Sequence, residues 1–254
     1  MSVKRWNLRW SAIRSLFSSR SNDQFEGHTP GRFILDPDDV GTPGAATWEP
    51  PNVPRRVRED FGYVPDEMQL QPGDLLLVSP KRQDAVSTGI RNIQLEAGQR
   101  PRDACWSHVG IYLGAQEAAI CEATLEAGVH VGGLYDRLPS DRVPGNWLRF
   151  RRDPKMTPED CWRLCVHALK RIGEPYDVWA AYQLFVQSGN RKYAFWRSHR
   201  SHAGIAVICS QLYRDAFQHV TGRLPVAKNV NIVLPAELSA TPLLEDVPVN
   251  WVRI

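Results

Sequence analysis

The chain has 254 residues, of which 43% are hydrophobic and 23% are charged, and its formal net charge is +3. This length is enough to bury a substantial core, and it suits one large domain or one domain with an appended segment. The charge is too small to indicate a nucleic-acid partner by itself, and we expect no specific nucleic-acid binding.

The cysteines and the apolar runs bear on the compartment. Five cysteines, scattered and odd in number, predict reduced thiols rather than a disulfide framework. No apolar run approaches the length of a membrane span, and the N-terminus has no uninterrupted apolar core followed by a cleavage site. We therefore expect a soluble protein without a secretory signal, either cytoplasmic or exported by a route that needs no such signal.

Residues 1–20 are basic and have an amphipathic pattern. They contain no acidic residue, and their apolar side chains follow helical spacing at Val3, Trp6, Trp10, Ile13 and Phe17. Such a helix commonly packs against its own domain or a partner chain, and this interpretation is favoured here. A basic stripe with two tryptophans also suits a peripheral position on an anionic membrane surface, and a cleaved organelle-targeting peptide is the third alternative.

Residues 28–72 contain eight prolines, which exclude a continuous helix or a central strand. We therefore predict an extended arm, and we place the start of the compact domain near Met68. The predicted organisation is a basic amphipathic segment and proline-rich arm over residues 1–67, followed by one domain over residues 68–254.

Short strands and helices are predicted along this domain. Apolar runs predict strands at 75–78, 128–131 and 147–150, and helical spacing predicts a helix between residues 81 and 105. Thr157, followed by Pro158 and then Asp160, is a helix start, and Gly173 ends that helix. Its expected apolar face consists of Trp162, Cys165, Val166 and Leu169.

Two alternating runs, 107–113 and 119–124, predict a β-hairpin. If its turn centres near Ala115, His108 lies directly opposite Glu122. A carboxylate beside an imidazole orients the ring and stabilises its charged form, as in a catalytic site.

A nucleophile for such a site is predicted at Cys209. Residues 212–217 follow helical spacing after it, so Cys209 falls in the first turn of a helix, where free backbone amides favour the thiolate and can hold an oxyanion. Burial as a small apolar residue is the alternative. The His108 and Glu122 pair, with Gly110 leaving room for a helix end, favours the catalytic interpretation.

Two other clusters have plainer explanations. Cys161, Cys165 and His167 lie close together, but four ligands at a recognised spacing are absent, so we expect buried thiols, no metal and no cofactor. Basic and aromatic residues alternate at 190–202, which suits phosphate or base contacts, although a solvated inserted loop is favoured.

Several short motifs, taken in order, resemble a known family. They are Pro72-Gly73-Asp74-Leu75-Leu76, Ser107-His108-Val109-Gly110-Ile111-Tyr112, Glu122-Ala123, the run from Gly173 to Asp177, and Cys209-Ser210-Gln211-Leu212. Together they are similar to the permuted branch of the NlpC-like, papain-related cysteine hydrolases, which contains YiiX-like proteins. The resemblance spans about residues 71–242.

The resemblance implies an α+β fold with a papain-like core, in which a small curved antiparallel sheet packs against helices. It implies Cys209 as nucleophile, His108 as general base and acid, Glu122 as the orienting acid, and Tyr176 as a pocket or oxyanion residue. The implied activity is thiol hydrolysis of peptide amides, as in cell-wall amidases and peptidases. Lipid acyl hydrolysis or acyl transfer is an alternative, and so is a non-catalytic binding or delivered factor with a protein partner.

Overall fold

The computed structural model describes residues 33–82, 84–114, 118–140, 144–177, 207–226 and 232–254. The predicted amphipathic helix at 1–20 and the basic insert at 190–202 lie outside these residues. Within the described ranges, no helix is both long enough and apolar enough to cross a bilayer.

The secondary structure consists of short strands and helices. The strands are β1 (Tyr63–Pro65), β2 (Leu75–Pro80), β3 (His108–Gly114), β4 (Ala119–Thr124), β5 (Gly128–Gly133), β6 (Asn146–Arg152), β7 (Glu245–Asp246) and β8 (Trp251–Arg253). The α-helices are α1 (Ala85–Glu96), α2 (Pro101–Ala104), α3 (Pro158–Leu169), α4 (Cys209–Thr221) and α5 (Pro235–Ala240). A π-helical turn spans Val57–Phe61, and 3₁₀ turns span Glu67–Gln69 and Leu134–Arg137.

An open antiparallel sheet forms the centre of the fold. Its six strands lie in the order β5-β4-β3-β2-β6-β7, while β1 and β8 form a separate two-stranded sheet. Every pairing in the larger sheet is antiparallel. The predicted α+β class with a small antiparallel sheet and packed helices is therefore confirmed.

Both faces of the sheet are covered. All four residues of 75–78 are at most 2% exposed, and their side chains alternate between two hydrophobic clusters, as the two-residue period of a strand requires. Leu75 and Leu77 pack in the cluster that includes helices α3 and α4. Leu76 and Val78 pack in the other cluster, together with residues that precede β2 and residues near the C-terminus.

The described part of the proline-rich region packs on this second face. Leu35 exchanges two backbone hydrogen bonds with Leu148, at 2.8 and 3.1 Å, and β1 pairs with β8. Leu35, Val57 and Val64 are buried there. These contacts cover a sheet face that would otherwise expose Leu76 and Val78 to water.

Helix α3 begins as its sequence predicts. The Thr157 hydroxyl accepts a hydrogen bond from the Asp160 amide, and Asp160 accepts one from the Thr157 amide, which completes a capping box. The buried face of the helix is different from the one expected. Cys161, Leu164, Cys165 and Ala168 are buried, whereas Trp162 and Val166 are 55% and 46% exposed.

Candidate active site

His108 is the first residue of β3, and the turn that precedes it is firmly held. The buried Gln94 amide nitrogen donates to the carbonyls of Ala104 and Trp106, at 2.8 and 2.9 Å. The Gln94 carbonyl oxygen accepts a hydrogen bond from the backbone of Ala236, at 2.8 Å. Because all hydrogen-bonding atoms of this side chain are used inside the core, the backbone leading into His108 has one defined course.

Glu122 lies on β4, diagonal to His108. The strand register pairs Glu122 with Gly110, so the direct His108–Glu122 pairing predicted from a turn at Ala115 is wrong by two residues. Both side chains still share one face of the sheet, since a two-residue shift preserves the alternation. The His108 Nε2 atom lies 2.5 Å from the Glu122 Oε2 atom.

Gly110 does not have the expected role of leaving room for a helix end. A Cβ atom placed on Gly110 would have the Ile120 side chain and the Cys121 carbonyl of β4 as its nearest neighbours, at 3.7 to 3.8 Å. Those are ordinary van der Waals distances, and none of the nearest atoms belongs to helix α4. Gly110 therefore does not make room for the helix end.

Cys209 is the first residue of helix α4, as its sequence predicts. Its thiol sulfur is hydrogen-bonded to the His108 ring and accepts hydrogen bonds from the backbone N–H groups of Val109 and Ser210. The helix start is fixed by the Ser210 hydroxyl, which donates to the carbonyl of Val233 at 2.6 Å. Because His108 Nε2 is engaged with Glu122, the Nδ1 atom is the ring nitrogen left for the sulfur.

The electrostatics of this pair favour a thiolate and an imidazolium. Burial raises the pKa of Cys209, but the charge and hydrogen bond of His108 and the two backbone amides outweigh burial and lower it below its ordinary value. Burial lowers the pKa of His108, but the charge and hydrogen bonds of Cys209 and Glu122 raise it to about 9. Sulfur and ring thus stabilise each other's charged form.

The other cysteines have the opposite electrostatics. Burial raises the pKa of Cys105 and Cys161, and it raises those of Cys121 and Cys165 to about 12. All five cysteines are buried and free of disulfides. Cys209 is therefore the one thiol of the five whose surroundings favour ionisation.

Tyr176 reaches Cys209 from a separate segment of backbone. Residue 176 forms a parallel bridge with Val207, two residues before the helix start. The Tyr176 hydroxyl is hydrogen-bonded to the Cys209 sulfur, and burial, followed by the charge of Cys209, raises the pKa of this tyrosine well above its ordinary value. The structure thus brings together all four residues that the sequence singles out: Cys209, His108, Glu122 and Tyr176.

Further residues, which are not among those predicted from the sequence, surround the Glu122 carboxylate. Arg137, at the end of the 3₁₀ turn, donates through Nη2 to both carboxylate oxygens. The Nε2 atom of His130 lies 3.6 Å from Oε1. Burial raises the pKa of Glu122, but His108 and then Arg137 outweigh burial and lower it to about 2.

Metal coordination finds no support among the residues that the structure describes. No group of three or more His, Cys, Asp or Glu side chains in them could hold a metal ion. Cys161 and Cys165, considered above as ligands, face the core from helix α3, and the Cys165 thiol contacts the Tyr112 carbonyl at 3.6 Å.

Comparisons with known proteins give little beyond this geometry. No family model matches the chain, and no curated protein matches it. The crystal structure of the metalloprotein YiiX from Escherichia coli O157:H7 is similar to the chain, with a TM-score of 0.47 and 17% sequence identity. That comparison covers 70% of this chain and 97% of the other.

Proposed function

We propose that the chain is a thiol hydrolase of the permuted NlpC-like, papain-related type, which cleaves its substrate through an acyl-enzyme. Cys209 is the nucleophile, His108 is the general base and then the general acid, and Glu122 orients the imidazole. Tyr176 lines the pocket and donates to the oxyanion.

The observation that carries this proposal is the convergence of three distant side chains. A hydrogen bond joins the sulfur of Cys209 to the ring of His108, and the opposite edge of that ring lies 2.5 Å from Glu122. Nucleophile, base and orienting acid within hydrogen-bond reach define this kind of catalysis. The pKa of Cys209 is lowered whereas those of the four other thiols are raised, and this contrast supports the same assignment because the thiolate is the reactive form.

The chemistry follows from this arrangement. The Cys209 thiolate adds to the substrate carbonyl carbon, and the carbonyl π electrons move to oxygen. Free amides at the start of helix α4, with the Tyr176 hydroxyl, stabilise the negative oxygen. The intermediate collapses to a thioester, and His108 gives its proton to the leaving amine. A water molecule, deprotonated by His108, then attacks the thioester, and the departing sulfur leaves as the thiolate paired with the imidazolium.

The proposed substrates are peptide amides of the cell-wall type, on the basis of the family resemblance described above. Lipid acyl hydrolysis or transfer is the second candidate, because the same steps cleave an ester and the basic stripe of residues 1–20 suits a membrane surface. A third candidate is a binding factor, which the ionised pair at Cys209 disfavours because binding alone does not require it.

Two measurements test the proposal. The full chain and its Cys209→Ala variant are incubated with cell-wall peptides and with phospholipid vesicles, and the products are identified by mass spectrometry. We expect cleavage of the peptides that disappears in the variant. Cleavage of the vesicle lipids alone would instead support the second candidate, and equal products with both proteins would overturn the catalytic assignment.

The second measurement needs no substrate. Iodoacetamide at pH 7 should modify Cys209 at least about tenfold faster than the other cysteines. For a thiol whose pKa lies above the pH, lowering the pKa by one unit increases the thiolate fraction about tenfold. Cys161 is the matched comparison, because both cysteine residues are 6% exposed. Modification of Cys209 no faster than Cys161 would contradict the proposed nucleophile.

A further inference from the structure

The segment that follows β4 builds a pocket for the Glu122 carboxylate. From β5, His130 places its Nε2 atom 3.6 Å from Oε1, while its Nδ1 atom donates to the Gly128 carbonyl at 3.1 Å. Arg137 closes the pocket from the 3₁₀ turn. We call these residues, with Gly132 between them, the carboxylate pocket.

Gly132 provides the space that the carboxylate fills. A Cβ atom on this residue would lie 2.8 Å from Glu122 Oε1 and 3.7 Å from His130 Nε2. The first distance is shorter than carbon and oxygen atoms tolerate, so a larger residue would force the carboxylate away from its partners. The absence of a side chain at position 132 is therefore needed for the observed position of Glu122.

The 3₁₀ turn that carries Arg137 is itself anchored. The Leu134 amide donates to the Ala118 carbonyl at 2.6 Å, and Leu134 and Tyr135 are buried. The Asn146 side chain donates to the Arg137 carbonyl at 2.7 Å. The guanidinium is thus presented to Glu122 by a fixed backbone, and its side chain is only 25% exposed.

The carboxylate needs this partner because it is buried. The Glu122 side chain is 3% exposed, and an ion removed from water is costly unless it is paired and hydrogen-bonded. One oxygen, Oε2, also accepts from His108, so the carboxylate that Arg137 holds is the one that orients the ring. The charged and titratable groups facing this chain of contacts are His108, His130, Arg137 and Cys121 around Glu122, with Cys209, Tyr176 and Asp177 beyond the ring.

We propose that Arg137 is a positioning residue, which keeps the Glu122 carboxylate ionised and directed at His108 and so maintains Cys209 as a thiolate. This inference rests on the proposed function. It assigns to Arg137 a role that acts through two other side chains, since Arg137 itself contacts neither the sulfur nor the ring in the hydrogen bonds described.

The test is the pH dependence of Cys209 modification by iodoacetamide in the full chain between pH 4 and 8, followed by mass spectrometry of the Cys209 peptide. In Arg137→Met, Glu122 loses the cation that opposes the effect of burial on its pKa. Glu122 therefore takes up a proton more readily. His108 then holds its own proton less well, and the thiolate is lost at a higher pH. We expect the acidic limb of the profile to move up by about one pH unit, which corresponds to about tenfold slower modification on that limb.

Arg152 provides a matched control. Its Nε atom lies 2.6 Å from Asp74, its side chain is likewise 25% exposed, and the Asp74 side chain is 1% exposed. Arg152→Met removes a comparable buried ion pair on β6. We expect it to lower the midpoint of thermal unfolding while leaving the acidic limb of Cys209 modification unchanged.

The outcomes separate this inference from the proposed function. If wild-type Cys209 reacts no faster than Cys161, the proposed function fails. If wild-type Cys209 is selectively modified but folded Arg137→Met has the same acidic limb, or Arg152→Met moves it equally, only the role of Arg137 is overturned. Should Arg137→Met not fold, Arg137→Gln keeps an N–H donor without the charge and is expected to move the limb in the same direction.

Discussion

Glu122 reaches His108 diagonally across two strands, over a position where the facing strand has a glycine. The residue directly opposite Glu122 is Gly110, and the carboxylate meets the ring nitrogen two residues further along, at 2.5 Å. Diagonal neighbours on an antiparallel sheet are separated by about 7–8 Å, which long side chains can bridge. Glu122 therefore has a glycine beside it on each neighbouring strand, Gly110 on β3 and Gly132 on β5.

Alanine substitutions at Gly132 and Gly110 should show which of these two glycines the position of Glu122 requires. Gly132→Ala places a Cβ atom 2.8 Å from Glu122 Oε1, so we expect it to displace the carboxylate and slow iodoacetamide modification of Cys209 at pH 6 by several-fold. Gly110→Ala is the control, since its Cβ atom would meet its neighbours at 3.7 Å or more. Equal rates in the two variants would show that the space at Gly132 is unimportant.

Glu122→Gln should change the titration of His108. The carboxylate is one of the groups that raise the pKa of His108 to about 9, and an amide cannot supply its charge. We expect the His108 ring to titrate at a lower pH in the variant, measured by the chemical shift of its carbon-bound ring protons in NMR spectra. Glu59→Gln, which changes a surface carboxylate paired with Arg55, should leave this titration unaltered. An unchanged His108 titration in Glu122→Gln would contradict the orienting role.

Tyr176→Phe should lower kcat for the substrate far more than it lowers the reactivity of the Cys209 thiol. The phenolic hydroxyl is hydrogen-bonded to the Cys209 sulfur in the free protein, and we propose that it donates to the oxyanion during hydrolysis. Loss of one such donor typically lowers kcat by about 10²- to 10³-fold. We expect a fall of this order for cell-wall peptides and a smaller change in iodoacetamide modification, which forms no oxyanion and loses only the hydrogen bond to the sulfur.

A buried tyrosine away from the sulfur, Tyr135, serves as the control for this variant. The Tyr135 hydroxyl donates to Glu67 rather than to Cys209. Tyr135→Phe should lower the unfolding midpoint without lowering kcat of the folded protein. A comparable loss of kcat in both variants would show that the effect of Tyr176 arises from stability alone.

Glu67→Gln should stabilise the protein increasingly as the pH rises. The Glu67 side chain is buried and accepts hydrogen bonds from Tyr112, at 2.5 Å, and Tyr135. Burial raises the pKa of Glu67 above its ordinary value, because its effect is larger than the lowering by the two hydroxyls. The wild type therefore loses stability as the pH rises through the pKa of Glu67 in the folded state, whereas glutamine carries no charge to bury.

The measurement is the thermal unfolding midpoint of both proteins between pH 4 and 8. We expect the difference in favour of Glu67→Gln to grow from acidic to neutral pH. The exposed Glu59→Gln variant should show no such trend. A difference that is constant with pH would contradict a raised pKa of Glu67 in the folded state.

The sequence was most informative where a short-range pattern coincides with the site. Alternation along 107–113 and 119–124 predicts the hairpin of β3 and β4, and helical spacing after Cys209 predicts the start of helix α4. Both patterns arise from one face of an element being buried, so they can be read without knowledge of the rest of the fold. They placed His108, Glu122 and Cys209 on the correct elements.

The hairpin register could not be read in the same way. The observed pairing of Glu122 with Gly110 lies beyond an irregularity between Tyr112 and Gly114, where the register shifts. The difference of two residues from the expected register leaves no mark in the alternation, because it returns each side chain to the same face. The predicted contact between His108 and Glu122 is therefore present although the predicted register is wrong.

The supporting residues were missed because their partners are distant in sequence. Arg137 and Gln94 act through hydrogen bonds to Glu122 and to Trp106 or Ala236, and no local periodicity reports such contacts. The glycine pair at 132–133 was the available signal, since glycine within a strand often marks a close approach. Helix α3 shows a related limit, because its wide apolar surface let Trp162 and Val166 be assigned to the core although both are exposed.

Strand β5 supplies none of the four proposed catalytic side chains, yet it touches the surroundings of two of them. At one end Gly128, with φ of +66°, lies so close to the Glu174 carbonyl that a Cβ atom would sit 2.2 Å from its oxygen. The Val129 amide donates to that same oxygen at 2.9 Å, beside the segment that carries Tyr176. Further along, Gly132 and His130 flank Glu122. Separation of this edge strand from the sheet would therefore release both the segment that carries Tyr176 and the Glu122 carboxylate.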